Sequence, residues 1–218
     1  MTQARRTKTA GSSPTSSKGV EPRTRLHADV RSKMIVEAAF RAIAKDGFEG
    51  LRTRDIAALV GINSATLHHH FPTKDDLIAA VASHLQSHFR LEKTPAVAGE
   101  SAADALERQF KDAVFYFQRR PEMIAVYREF VIRAPRDRMI RRLVQQLHDG
   151  WQKDVAQIVK RGQQDGSFRA DLNRDATCSL IICAVWGLIA QVFRSVDDFS
   201  VGFQELTKWI KAGQGSRA

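Results

Sequence analysis

The stretch from Arg52 to Lys74, RTRDIAALVGINSATLHHHFPTK, constrains the fold more than any other part of the chain. Thr53 can cap the start of a short helix, since its hydroxyl can accept from a free backbone N–H. Gly61 stands where that helix must end, because glycine readily adopts a positive φ. Asn63 or Ser64 can then cap a second short helix. The pattern predicts two short helices joined by a tight turn.

Both short helices carry apolar residues that would hold them against a core. The expected core residues are Ile56, Ala57, Leu59 and Val60 in the first helix and Leu67 and Phe71 in the second. The small side chain of Ala57 lets the two helices cross closely. Such an arrangement presents the second helix to the major groove of DNA.

Residues on both sides of this stretch extend the pattern. From Ile35 the chain reads I-x-x-A-A-F, then Gly47-Phe48, T-x-x-I-A, G-I-N-x-x-T-L, H-x-x-x-K and Leu77. Together they resemble the DNA-binding region of the TetR-type (tetracycline-repressor-like) transcriptional regulators, over roughly a fifth of the chain. The sequence departs from the family in its three consecutive histidines, near which members usually carry aromatic residues, commonly tyrosine.

Two groups of DNA contacts are expected. The resemblance implies phosphate contacts from Thr53, His70 and Lys74, which Arg52 and Arg54 are expected to join. Base contacts are expected from the exposed side of the second helix, at Ser64, Ala65, Thr66, His68 and His69. The resemblance also implies binding to a palindromic operator as a homodimer.

The remaining chain shows helical patterns and no convincing strand, so we expect an all-α protein. Residues 1–27 are predicted to be a disordered basic arm that holds half of the net charge of +10. Residues 28–73 are predicted to form a three-helix domain with the helix-turn-helix, and its first helix is expected to run from Asp29 to about Lys45. Residues 74–218 are predicted to form a helical bundle for ligand binding and dimerisation.

The pattern within residues 74–218 predicts six helices. The first begins with a capping box at Thr73 and Asp76 and bridges the two parts of the chain. The others are expected near 102–118, from Pro121 onward, and near 136–164, 173–195 and 201–211, with a loop at 94–99.

The helix predicted between residues 173 and 195 is apolar on all sides, so it must be buried on all sides. A second subunit could cover the face that the core does not. With the family resemblance, this favours a homodimer formed through residues 173–213; a fully interior helix is the alternative. We expect Cys178 and Cys183 in this helix to be buried thiols.

An aromatic-rich interior could hold a small effector that releases the protein from DNA. The candidate ligand-binding residues are Phe110, Phe117, Met123, Tyr127, Phe130, His148, Trp151 and Trp186. The effector is expected to be apolar or aromatic. Ordinary packing is the other explanation for these aromatic residues.

Other functions are less well supported by the sequence. No catalytic motif, metal-ligand spacing or cofactor motif is found, although His84 and His88 stand one helical turn apart. No segment approaches the roughly 20 apolar residues that span a bilayer, so we expect a cytoplasmic protein without membrane contact. A helical interaction protein, an activator, and a regulator that responds to a protein partner stay open as alternatives to a ligand-responsive repressor.

Overall fold

The computed structural model describes residues 22–91, 94–190 and 196–211, with side chains described for 28–90, 94–187 and 200–211. Nine α-helices occupy these ranges: α1 Pro22–Asp46, α2 Thr53–Val60, α3 Ser64–His70, α4 Lys74–Leu91, α5 Ala102–Arg119, α6 Pro121–Arg133, α7 Arg138–Asp165, α8 Arg174–Ala190 and α9 Val196–Ile210. A 3-10 turn, Phe48–Gly50, follows α1. One isolated bridge pairs Phe168 with Lys211, and the described residues form no sheet. The predicted all-α class is confirmed.

Helix α1 begins earlier than predicted, at Pro22 instead of Asp29. Residues 22–27, which were assigned to the disordered arm, are therefore helical. The sequence pattern missed this turn because these residues carry no apolar stripe, whereas proline is well tolerated in a first helical turn. Residues 1–21 of the predicted arm lie outside the described part of the chain.

Helices α1, α2 and α3 pack around a shared hydrophobic core. Ile35, Ile43, Ile56 and Leu67 are all fully buried. Leu59 was expected in this core but is 72% exposed. An eight-residue helix that lies on one surface can bury only one stripe, and Ile56 and Ala57 occupy it.

Helix α4 connects this core to the C-terminal helices. Its start is a capping box, as predicted: the Asp76 backbone N–H donates to the Thr73 hydroxyl (3.1 Å), and the Thr73 N–H donates to the Asp76 carboxylate (2.9 Å). Further along α4, His84 Nε2 lies 3.2 Å from the Glu37 carboxylate on α1. The helix is therefore held to the N-terminal core along half of its length.

Helix α6 supplies a second connection to the N-terminal core. The ring of Phe130, which is fully buried, packs edge-on against Phe48 at a centroid distance of 5.1 Å. The guanidinium group of Arg133 lies over the same Phe48 ring, with its central carbon 5.2 Å from the ring centroid. Helix α6 is therefore in direct contact with the turn that precedes α2.

The C-terminal helices pack around α7, whose 28 residues are capped by Asp137 at the start and by a left-handed Gly166 at the end. Helix α8 buries Cys178 but exposes Cys183. The expectation that both thiols are buried is therefore wrong for Cys183, because two residues five apart on a helix face directions about 140° apart. Within the described ranges, no helix is long and apolar enough to cross a membrane.

Candidate nucleic-acid interface and ligand cavity

The turn between α2 and α3 is built by Gly61 and Asn63. Gly61 adopts φ 72° and ψ 32°, the left-handed conformation predicted for it. The Asn63 side chain then caps α3 by accepting from the Thr66 N–H at 2.8 Å. Of the two capping candidates, Asn63 is therefore the cap, and Ser64 is the first residue of the helix.

Thr53 does not cap α2. The capping position is Arg52, which makes no side-chain capping bond, and Thr53 is the first residue of the helix. The predicted capping role of Thr53 is therefore wrong. Its half-buried side chain lies at the N-terminal end of an eight-residue helix, where backbone N–H groups favour an anion.

Helix α3 presents one face to the core and the opposite face to solvent. Leu67 is fully buried, whereas Ala65, His68 and His69 are exposed and share one face at helical spacing. The other predicted base-contact residues, Ser64 and Thr66, are half-buried. The structure therefore brings together on α3 the five residues expected to read bases.

Four of the predicted phosphate-contact residues lie on either side of α3 in the sequence. Arg52, Arg54 and Lys74 are exposed, and Lys74 is the first residue of α4. Helix N-termini and basic side chains thus lie before and after α3 along the chain, as expected for a helix positioned between two phosphate-binding segments.

His70 is half-buried at the end of α3. Burial, the neighbouring His69 and the positive charge of Arg31 hold its pKa below the ordinary value. The imidazole is therefore neutral at pH 7, so at that pH it would contact a phosphate through an N–H and not through a full positive charge.

A cavity of about 230 Å³ lies between α4, α5, α6, α7 and α8. Its aromatic wall consists of Phe89, Tyr116, Tyr127, Trp151 and Trp186. Tyr127 stacks on Trp186 at 3.9 Å between ring centroids, and Trp151 stands edge-on to Trp186 at 5.8 Å. Phe89 of α4 meets Tyr116 of α5 edge-on at 4.9 Å. These ring contacts hold the aromatic residues of the wall against one another.

The same cavity contains charged and polar groups that the sequence analysis did not select. Asp112 and Asp154 line it together with Arg90 and Gln109. Asp112 is buried and accepts hydrogen bonds from the backbone and hydroxyl of Thr94. The Trp186 indole nitrogen is buried and has no hydrogen-bond partner among the described residues. A ligand that offers an acceptor at this point would satisfy that donor.

His148 and Tyr127 form a polar pair at the edge of the aromatic wall. The Tyr127 hydroxyl and His148 Nε2 are hydrogen-bonded to each other. Burial raises the pKa of Tyr127 and lowers the pKa of His148. Both groups are therefore neutral at pH 7. His148 then adds no positive charge to the cavity that Asp112 and Asp154 line.

Only part of the predicted ligand-binding set lines this cavity. Tyr127, His148, Trp151 and Trp186 do. Phe110, Phe117, Met123 and Phe130 belong to the packed interior: Phe110 stacks on Phe203 at 4.0 Å, and Phe130 packs on Phe48. Of the cavity residues that the sequence analysis did not select, Asp112 could have been found from the sequence, because it is an acid on the apolar face of an amphipathic helix.

Comparisons with known proteins agree with this architecture. The family model "Bacterial regulatory proteins, tetR family" matches residues 35–81, and the model "BetI-type transcriptional repressor, C-terminal" matches residues 102–209. The chain is similar to the HTH-type transcriptional regulator BetI of Rhizobium meliloti, with 32% identity over 58% of this chain and 59% of that relative. It is also similar to the HTH-type transcriptional regulator UidR of Escherichia coli K12, with 23% identity over 72% of this chain and 79% of that relative.

Among solved structures, a transcriptional regulator from Saccharomonospora viridis in complex with choline superposes with a TM-score of 0.72 and 24% identity. The superposition covers 85% of this chain and all of that chain. At this identity the likeness establishes the fold alone.

A helix-turn-helix joined to a helical bundle with an internal cavity defines a class of bacterial regulators. The chain belongs to the tetR family of these proteins. It spans 59% of the length of the Rhizobium meliloti relative and 58% of the BetI relative from Agrobacterium fabrum. The family is one of regulatory proteins, which agrees with the interpretation that the chain is not an enzyme.

Proposed function

We propose that the protein is a transcriptional regulator, acting as a repressor in the cytoplasm, that binds a palindromic operator as a homodimer and leaves it when a small effector binds. The observation that carries this proposal is the exposed face of α3 between basic helix starts, opposite the fully buried Leu67. Residues 28–73 would read DNA, and residues 74–218 would bind the effector and the second subunit.

An exposed apolar stripe on α8 supports dimerisation through residues 173–213. Ala176, Leu180, Cys183 and Gly187 recur at helical spacing on the exposed face of this helix, and Leu180 is 61% exposed. Space is open around Gly187, where an added Cβ would meet no atom within 4 Å. A second copy of the same stripe could approach closely there. Two reading helices about 34 Å apart would then face successive turns of the major groove.

The cavity supports a cationic organic effector. The sequence analysis expected an apolar or aromatic molecule, but aromatic rings with Asp112 and Asp154 are the surroundings that a quaternary ammonium prefers. The choline bound to the Saccharomonospora viridis regulator belongs to this chemical class. Aromatic faces attract the cation, and the carboxylates compensate its charge.

Helix α4 supports the link between effector and DNA. Its last turns contribute Gln86, Phe89 and Arg90 to the cavity, and its first residue is Lys74. The Tyr116 hydroxyl donates to the Phe89 carbonyl at 3.1 Å, so α5 holds the end of α4. An effector that favours a different position of α4 would shift the spacing of the two reading heads.

The proposal is tested by mobility shift with the DNA that flanks the protein's own coding sequence. We expect a retarded band that resists unrelated competitor DNA and is lost as salt rises, because counterions are released on binding. Complete competition by unrelated DNA at equal mass would overturn the sequence-specific function. A stable dimer without any specific band would favour the interaction-protein alternative.

The cation preference is tested with Asp154→Asn. We expect choline to bind the wild-type protein and to bind the variant several-fold more weakly, since a compensating carboxylate is lost. Isothermal titration measures both affinities. Asp149→Asn is the matched control, because Asp149 lies on the same helix, is exposed and does not line the cavity. Equal losses in the two variants would show a general charge effect and contradict the assignment.

A further inference from the structure

A second cavity opens beside the aromatic one, and its lining has the opposite charge balance. This arginine cleft has a volume of about 450 Å³. Three arginines line it, Arg90, Arg108 and Arg161, against two acids, Glu100 and Asp154. The aromatic cavity, in contrast, contains two acids and the single cation Arg90. The two spaces therefore differ in the sign of charge that they favour.

One of the three arginines is already neutralised. Arg108 donates to both carboxylate oxygens of Glu100, at 2.7 and 3.1 Å, and to the Thr94 carbonyl. The Arg108 guanidinium holds the pKa of Glu100 below its usual range, so this pair stays ionised and cancels internally. Among the described residues that line the cleft, the two arginines Arg90 and Arg161 then lie beside a single further acid, Asp154.

The aromatic cavity and the arginine cleft adjoin each other. Arg90, Gln109 and Asp154 line both of them. The Arg161 guanidinium group, which lines only the cleft, donates a hydrogen bond to the Ser101 carbonyl at 3.0 Å. Within the described residues, neither Arg90 nor Arg161 takes part in an ion pair shorter than 4.0 Å. Each guanidinium group could therefore form a close ion pair with an anionic ligand.

We propose that the two cavities form one bipolar site for an effector with a cationic head and an anionic end, a carboxylate or a phosphate. The cation lies among Tyr127, Trp151 and Trp186, and the anion is bound by Arg90 and Arg161. The guanidinium groups suit both anions, because each presents parallel N–H donors to two oxygens. This assignment rests on the proposed function and specifies which effectors the site can distinguish.

Charge placement favours one orientation of such a ligand. A reversed ligand would bring its anion beside Asp112, which lines only the aromatic cavity, and its cation beside Arg161, which lines only the arginine cleft, and both contacts are repulsive. A molecule with a cation alone offers no anion to Arg90 and Arg161. Discrimination between bipolar and simple cations is therefore expected from the arginine cleft.

The test is a titration series of ω-trimethylammonium carboxylates with increasing numbers of methylene groups, beside their methyl esters, choline and O-phosphocholine. We expect one chain length to bind at least about tenfold more tightly than its own ester, as two charge-assisted contacts predict. A higher affinity for O-phosphocholine than for choline, without such a carboxylate optimum, would assign the cleft to phosphate. Carboxylates and phosphocholine that bind no better than esters and choline would overturn the bipolar site.

Variants of the cleft localise the effect. Arg161→Gln and Arg90→Gln should each remove the advantage of the anion, and Arg161→Gln, whose side chain lines only the cleft, should leave the affinity for choline within about twofold. Lys160→Gln is the matched control, because Lys160 is exposed on the same helix as Arg161 and lines neither cavity. An anion advantage that survives both arginine variants would contradict the assignment.

The outcomes separate this inference from the proposed function. Binding of choline without an anion advantage overturns the bipolar site and leaves the cationic effector intact. Operator binding without affinity for any trimethylammonium compound overturns the effector class, and the bipolar site with it, while DNA recognition stands.

Discussion

Replacing His69 by alanine should abolish most of the preference of this protein for its operator. His69 is exposed on the outer face of α3, where a base contact is worth about 1–3 kcal/mol. Each dimer loses this contact twice, so operator affinity should fall by about 2–6 kcal/mol, roughly 30-fold to more than 10⁴-fold. Fluorescence anisotropy with the operator and with a scrambled duplex measures the change. The affinity for the scrambled duplex should stay nearly constant.

Lys74→Ala is the informative comparison for His69→Ala. Lys74 is an exposed residue at the start of α4, so its loss should weaken operator and scrambled DNA alike. The slope of log affinity against log salt should fall by about 2 per dimer, one for each lost phosphate contact. Lys45→Ala is the control, as Lys45 is exposed in α1 outside α2–α4. If His69→Ala instead behaves like Lys74→Ala, His69 contacts phosphate and the base-reading role is wrong.

Gly162→Ala should destabilise the fold although alanine is the better helix former. A Cβ at position 162 would lie 2.1 Å from Cδ2 of Phe168, whose ring is 2% exposed. The backbone N–H of Phe168 also donates to the Gly162 carbonyl at 2.8 Å, so ring and backbone are held together. Overpacking costs about 1–3 kcal/mol or more, which exceeds the gain of about 1 kcal/mol in helix propensity. Urea unfolding should show a net loss of about 2 kcal/mol.

Gly150→Ala provides the matched control on the same helix. An added Cβ at position 150 would meet no atom within 4 Å, and the residue is exposed. Only the helix propensity changes there, so this variant should be stabilised by about 0.5–1 kcal/mol. Equal stabilisation by both substitutions would mean that the Phe168 ring yields without cost, contrary to its packing.

The helices and the turn of the reading motif were predictable because their signals act over a few residues. Gly61 ends α2 through its own φ, Asn63 caps α3 through a hydrogen bond three residues away, and Thr73 with Asp76 starts α4 in the same way. Local hydrogen bonds and backbone preferences of this kind need no information from the rest of the chain. The family resemblance of this region depends on the same short spacings.

The lining of the cavity depended on which helices meet, and sequence patterns contain little of that information. Tyr127 and Phe130 stand three residues apart on α6 and are both buried, yet Tyr127 lines the cavity and Phe130 packs against Phe48. Aromatic residues in a core and in a cavity wall are equally apolar, so their composition does not separate them. Asp112 and Asp154 come from α5 and α7, and only the packing of these helices brings both to one space.

The sequence alone thus determined the class of fold, the approximate positions of its helices and the face of α3 that is turned to solvent, because these follow from periodicity and local hydrogen bonding. Tertiary packing alone decided that Asp112 and Asp154 meet in an aromatic cavity and that this cavity adjoins an arginine cleft. The physical reason is that burial and charge complementarity arise between elements far apart in the chain, where the spacing of residues along one helix has no influence.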